Sequence, residues 1–299
     1  MRKQAEFRIR DSSSDKVFNV IVTVIATFAL FFTLYPLIYV LSSSISDPHA
    51  LFTGQVWLWP VRFNVEGYVI VLTYDRIWDG FRNSVLITTS GTLLNLFVTI
   101  IAAYPLSRPD LKLRKPILFM FTFTILFSGG LIPTYLNIRN LGLLDSHLAL
   151  ILPSAMSMFN FMVMRTFFQK NIPGEMLESA KIDGCSDFRF ITSIVLPLSG
   201  AIIAVMTLYY SVSHWNAFFN AMIYIRNRTL HPLQVVLREI LILNSTEQMM
   251  EGTTKTDALY IAEQMKYSLI VLASLPLLIA YPFVQRYFVR GVMIGAVKG

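Results

Sequence analysis

The sequence predicts an all-α integral membrane protein that crosses the bilayer six times and keeps both termini in the cytoplasm. Three observations carry this. Hydrophobic residues make up 55% of the 299 positions and charged residues only 14%, with a mean hydropathy of +0.57; a soluble domain carries about 25% charged residues. Six long stretches are nearly free of Asp, Glu, Lys and Arg, and a spanning helix needs about 20 such predominantly apolar residues. Sixteen of the 25 lysines and arginines fall on the termini, on alternate connecting segments or at the span ends beside them, the pattern that holds those segments in the cytoplasm. None of the stretches alternates with the two-residue period of a membrane barrel.

The first span is expected over 17–41. MRKQAEFRIR supplies a positive start, but the apolar run far exceeds the 7–15 residues of a signal-peptide core, so it reads as a retained helix. An outer segment, 42–82, follows. Its GQVWLWP, with Trp57, Trp59 and Pro60, suits an interfacial hairpin or a short helix. The second span is expected over 83–107. The short basic loop SRPDLKLRK then fixes the cytoplasmic side most decisively. The third span is expected over 116–138, with Gly129, Gly130 and Pro133 placed to break it. Irregular backbone at that depth lines a cavity or is buried in protein. The fourth is expected over 147–168 and the fifth over 198–219, joined by a cytoplasmic segment at 169–197. A second outer segment, 220–266, contains LHPLQVVLREILILNS, which reads as an amphipathic helix after Pro232. It can fold into the pathway, meet an external partner, or lie on the membrane. The sixth span is expected over 267–287. No repeat or low-complexity linker divides the chain, so 1–299 reads as one transmembrane domain.

The cytoplasmic segment FFQKNIPGEMLESAKIDGCSDFRF differs from its apolar surroundings. Asn171 can cap a helix and Pro173 suits its first position. Glu175 and Glu178 lie in its first turns, where the macrodipole favours negative charge. Met176, Leu177 and Ala180 make one small apolar face, with polar residues elsewhere. Gly184 can take the left-handed conformation that ends a helix. Ser186 or Asp187 can cap a second helix, which Pro197 kinks or breaks. A helix this short is not stable alone, so it needs a partner surface.

The order Glu178-Ser179-Ala180, then Gly184, then nine residues and Ile194-x-Leu196-Pro197, resembles the EAA loop of ABC importer permeases. Ser179 for the first alanine is the one departure, a small-for-small change. The segments SDPHALFTGQVWLWPVRFNVEGY, FSGGLIPTYLNIRNLGLLDSHLALILP, HWNAFF and RGVMIGAVKG extend the likeness over most of the chain. They resemble the carbohydrate-uptake branch, near the second membrane subunit of maltose-type importers and the alginate-type oligosaccharide systems.

This resemblance implies the type I importer permease fold, in a bacterial cytoplasmic (inner) membrane. It implies that the EAA helix is a coupling helix docking on a cytoplasmic ATPase dimer. Glu178 would then make a polar contact there, Ala180 would allow close approach, and Gly184 would make the turn. Asp183, Ile194, Leu196 and Pro197 complete that candidate set. It implies a tail, with Gly295, Lys298 and Gly299, that reaches between the ATPase subunits. The partners implied are that ATPase, a second permease in a heterodimer, an extracytoplasmic solute-binding protein and membrane lipid. ATP and Mg would be bound by the ATPase, with no cofactor in this chain. The cargo implied is a sugar, a polysaccharide-derived oligosaccharide.

Buried polar groups in spans are costly, which makes them pathway candidates. These are Asn95, Asn160, Tyr209, Tyr210, Ser213, His214, Trp215 and Asn216. Their hydroxyls, amides and rings suit sugar hydroxyls and C–H faces. The same residue types also join helices to one another. No phosphate-cradling G-x-x-x-x-G-K-[ST] loop occurs, nor a Gly-x-Ser-x-Gly elbow. No metal-ligand spacing occurs, and Cys185 is the single cysteine, so no internal disulfide forms. The absence of a basic patch interleaved with aromatics in a soluble region argues against nucleic acid. The runs lack an intramembrane carboxylate or lysine, which argues against a proton- or sodium-coupled transporter.

Overall fold

The computed structural model describes residues 12–242 and 255–296, and among these the regular structure is entirely helical. In chain order the helices are α1 (Ser13–Ser44), α2 (Pro48–Phe52), α3 (Glu66–Thr73), α4 (Asp75–Ser107), α5 (Arg114–Leu126) and α6 (Leu131–Asn140). There follow α7 (Leu148–Ile151), α8 (Met158–Asn171), α9 (Gly174–Ile182), α10 (Asp187–Phe190) and α11 (Leu196–Leu198). The last four are α12 (Gly200–Trp215), α13 (Phe219–Tyr224), α14 (Leu233–Ile242) and α15 (Lys255–Ala296). The described parts of 12–71 and 255–271 form one compact unit, and those of 72–242 and 272–296 form another.

In the first unit, α1 exposes Val17, Phe28, Phe31 and Phe32, a surface suited to lipid. Its end is tied down by polar contacts. Ser42, Ser43, Ser44 and Ser46 are buried. The fully buried Gln264 donates from Nε2 to the carbonyls of Ser46 (2.9 Å) and Asn64 (2.8 Å), and its Oε1 accepts from Gly67 N–H at 3.0 Å. A Cβ on Gly67 would stand 2.9 Å from Ser268 Oγ and 3.1 Å from Gln264 Oε1, so a larger residue would displace the side chains that hold this joint. Asp47 caps α2 by accepting from Ala50 N–H at 2.9 Å. The segment 42–82 thus contains the end of α1, two short helices and the start of α4.

In the second unit, α4 is the spine, and it packs against α8, α12 and α14. It begins at Asp75, eight residues before the expected start of the second span. The third apolar run breaks at 127–130, where α5 and α6 meet at 114°. Gly130 has φ 83 and ψ 178, a region that essentially only glycine occupies. The fourth run departs from expectation. It is not one helix over 147–168 but α7, a gap at 152–157, and α8. Pro153 lacks an N–H and disfavours helix in the residue before it. The hydroxyl of Ser157 then caps α8 by accepting from Asn160 N–H.

The fifth run starts after an 80° bend between Asp187–Leu198 and Gly200–Trp215. A π-helical turn at Ile191–Val195 precedes it. Pro197 cannot donate an i→i−4 bond there. The sixth expected span lies inside α15, and the segment 220–266, expected on the outer side, contains α14 and the start of α15. Among the described residues, three helices are long and apolar enough to cross a membrane, or five if each bent pair counts as one. At 1.5 Å per residue, α8 is about 21 Å long, short of the ~30 Å hydrocarbon core, so the sixth crossing is not given by helix length alone.

Candidate functional site

The expected site residues sort along α4. One end of this helix meets the segment 169–197, its middle meets a cavity, and its start meets the loops around α13 and α14.

At the first end, Tyr104 stacks edge-on with Phe168 at 6.0 Å and lies 6.4 Å from Phe190. Phe168 and Phe190 are fully buried, with Leu177, Ala180 and Val195 in the same core cluster. Arg165 of α8 donates from Nε to Leu106 O at 2.8 Å, satisfying one of the carbonyls that a helix end leaves open. The cap of α9 is Pro173, not Asn171, which stays in α8 and donates to Phe167 O. Asn171 is two residues too early because α8 continues to the end of its apolar pattern.

The C-terminus of α9 is a Schellman turn. Cys185 N–H donates to Ala180 O at 2.9 Å and Gly184 N–H to Lys181 O at 3.0 Å. Gly184 has φ 77, the left-handed conformation that such a turn needs. Ser186 caps α10 by accepting from Arg189 N–H at 3.3 Å. Lys181 and Asp187 pair across the turn at 3.5 Å, both exposed, which contributes little.

Of the expected coupling residues, Glu178, Ser179, Asp183, Gly184 and Pro197 are exposed. Ala180 faces inward at 8% exposure. Ile194 and Leu196 are half-buried. One face of α9 is therefore seated on this chain, and the opposite face is open. Lys298 and Gly299 lie outside the described residues, and Gly295 falls near the end of α15.

At mid-helix, a cavity of about 230 Å³ is bounded by α4, α12, the 152–157 gap and α8. Asn95, Asn160, Tyr210, Ser213 and His214 line it, together with Ser154 and Ser157. The structure thus brings five of the eight pathway candidates together. Asn95 donates from Nδ2 to the carbonyl of Ser154 and joins His214 Nε2 through Oδ1 at 2.6 Å. With the amide so placed, Asn95 Oδ1 must accept, so His214 carries its proton on Nε2. Tyr210 OH shares a hydrogen bond with Thr99 Oγ1 at 2.7 Å and accepts from Ser157 N–H at 3.3 Å. Gly91 makes room for the imidazole, since a Cβ there would stand 2.5 Å from His214 Nε2.

The other three candidates lie elsewhere. Tyr209 is 44% exposed on another face of α12, because consecutive helical residues are 100° apart. Trp215 is buried, donates from Nε1 to Ala273 O at 3.0 Å, and packs edge-on against Phe81. Asn216 ends α12 and does not reach the cavity. Sequence reasoning missed Gly91, Thr99, Ser154 and Ser157. The spacing of Gly91, Asn95 and Thr99, four residues apart on one helix face, is the signal that could have found two of them. Among the described residues, no cluster of His, Cys, Asp and Glu could hold a metal.

The comparisons agree on one family. The chain is 40% identical over 264 residues to the polygalacturonan/rhamnogalacturonan transport system permease protein YtcP of Bacillus subtilis (strain 168), spanning 88% of this chain and 92% of that one. It is also 40% identical over 267 residues to protein LplC of the same organism, spanning 89% and 90%. A chain in the crystal structure of a bacterial ABC transporter involved in the import of the acidic polysaccharide alginate superposes with a TM-score of 0.84. That chain is 32% identical, with 94% of this chain and 99% of that one covered. No family model matches. On these likenesses the chain belongs to the permease subunits of carbohydrate ABC importers.

Proposed function

We propose that this chain is one half of a heterodimeric permease in a bacterial inner membrane, importing oligosaccharides cut from an acidic polysaccharide. The cargo class follows the relatives' names, polygalacturonan/rhamnogalacturonan and alginate. The observation that carries the coupling is the shared spine: the seated face of α9, through Leu177 and Ala180, shares a buried cluster with Tyr104 and Leu106 of α4, and the polar cavity lies further along the same helix. In this reading the crossings are α1, α4, the bent α5–α6 pair, α7–α8, α12 and α15. Both termini and α9 are cytoplasmic.

A cytoplasmic ATPase dimer binds ATP and Mg, and this chain holds no cofactor. Glu178, Ser179 and Asp183 meet the ATPase. Leu177 and Ala180 seat α9 in the buried cluster that holds Tyr104 and Phe190, so the segment moves as a body. Closure of the ATPase then tilts α4 and α12 and switches the cavity between two states, a rigid-body transition biased by nucleotide. Asn95, Asn160, Tyr210, Ser213 and His214 offer hydrogen bonds to sugar hydroxyls in that passage. The tail around Gly295, Lys298 and Gly299 reaches the ATPase interface. A solute-binding protein delivers cargo on the outer side.

The test is a pull-down of this chain from its native membrane in mild detergent, with mass spectrometry of its companions. An ATPase, a second permease and a solute-binding protein are expected. Recovery of the chain alone from a preparation that still transports sugar would contradict the assignment.

A further inference from the structure

The start of α4 carries a second cavity, of about 350 Å³, within the ~300–1,000 Å³ typical of small-molecule sites. From Arg76 to Tyr104 along α4 is about 42 Å at 1.5 Å per residue, so this cavity lies at the opposite end of the spine from α9. On the orientation proposed above, it opens to the outside.

Its walls are basic. Arg226, Arg228 and Arg238 line it, all three are exposed, and none makes an ion pair among the described residues. The carboxylate in the lining, Glu239, is engaged by Arg76 at 2.7 Å. His231, also in the lining, is 7% exposed. Its Nδ1 is buried, makes no hydrogen bond among the described residues, and lies 3.4 Å from Glu239 Oε1. The Asp145 carboxylate stands near Arg226 and His231, so Arg76, Arg226, Arg228 and Arg238 face the two carboxylates of Glu239 and Asp145, and the net charge around the space is positive.

The frame behind these arginines is fixed. The carboxylate of Asp145 accepts from the backbone N–H groups of Arg226 and of Asn227, the latter at 3.0 Å. Asn227 Oδ1 in turn accepts from Thr229 N–H at 3.1 Å. The guanidinium of Arg238 stands over the Phe218 ring at 5.1 Å, a cation–π contact that orients it. Met222, Ile225 and Val235 supply an apolar floor.

Planar guanidinium forks bind carboxylates in bidentate fashion, and an apolar floor suits the C–H face of a pyranose. We propose that this cavity is a cargo station that binds the carboxylate of a uronic acid residue, so that the permease itself selects acidic oligosaccharides. The inference rests on the proposed acidic cargo and orientation. Clustered arginines also draw an anionic sugar in by long-range attraction, which weakens as salt rises.

The test uses the complete importer in proteoliposomes with saturating solute-binding protein. The probes are trigalacturonate and the same trisaccharide with its carboxyls reduced to hydroxymethyl groups. Arg228→Gln is expected to slow trigalacturonate import about 10- to 100-fold, the range for a lost charge-assisted hydrogen bond. Import of the reduced sugar and docking of the binding protein are expected to hold, and Arg228→Lys should recover part of the loss. Unchanged trigalacturonate import in both Arg228→Gln and Arg238→Gln would overturn the station. So would an equal loss for both sugars with weakened docking, which would make the surface a protein-docking face. A wild-type importer that carries the reduced sugar but not trigalacturonate would instead overturn the acidic cargo, and the station with it.

Discussion

Single residues set the polar cavity and the loop frame at the start of α4. The His214–Asn95 pair exists because position 91 has no side chain. Gly91→Ala would force a methyl into the imidazole, since the nearest ring atoms would lie 2.5–2.9 Å from the new Cβ. Overpacking of this kind costs about 1–3 kcal/mol, so a lowered thermal midpoint of the purified complex is expected. A Cβ added at Gly130 meets no neighbour within 4 Å, so an alanine there is opposed by backbone strain. In the loop frame, Asp145 sits outside the spans. The backbone N–H of Asn227, then that of Arg226, hold its carboxyl below its ordinary value of 3.8. A carboxyl lowered in the folded state stabilises above its unfolded pKa and loses that contribution as pH falls through the folded value. Amide exchange at Arg226 and Asn227, corrected for intrinsic rate, should therefore lose protection below about pH 3.8. Asp145→Asn should weaken protection at neutral pH and abolish that step; a step that persists in the variant would refute the assignment.

At the scale of elements, the sequence carried some features and hid others. The Schellman end of α9 was legible because Gly184 follows a periodic helix, and the Ser186 cap because Asp187 opens the next helix. The break at Gly130 was legible for the same reason: only glycine reaches that backbone. The gap at 152–157 was missed because an apolar run reads as one span until Pro153 is weighed. The Gln264 contacts with Ser46, Asn64 and Gly67 were also hidden, since their partners lie about 200 positions away in the chain, as with Gln264 to Asn64. Five cavity residues could be named as polar groups in spans. Their neighbours Ser154 and Ser157 act partly through backbone groups, which leave no mark on composition. The joint between α4 and the segment 169–197 is aromatic: Phe190 is fully buried against Tyr104. Phe190→Ala should cost about 3–5 kcal/mol. In the assembled importer, ATP hydrolysis should continue while import falls, whereas Phe190→Leu should keep both. Equal loss of hydrolysis and import would place Phe190 in assembly rather than in transmission.

At the scale of the whole molecule, the account assigns α9 the task of carrying ATPase motion to the cavity along α4. The family and its membrane setting were legible from the EAA-like spacing and the apolar runs, because both are local patterns. The six apolar runs do not map onto six long helices, because two runs bend and one breaks, leaving three long helices or five with each bent pair as one among the described residues. The most direct test is import and sugar-stimulated ATP hydrolysis by the reconstituted complex carrying Glu178→Ala or Gly184→Pro. Gly184 has φ 77 and donates to Lys181 O, and proline permits neither. The account predicts that both variants lose import and that ATP hydrolysis no longer responds to sugar-loaded binding protein. Import at the wild-type rate in both variants would contradict it.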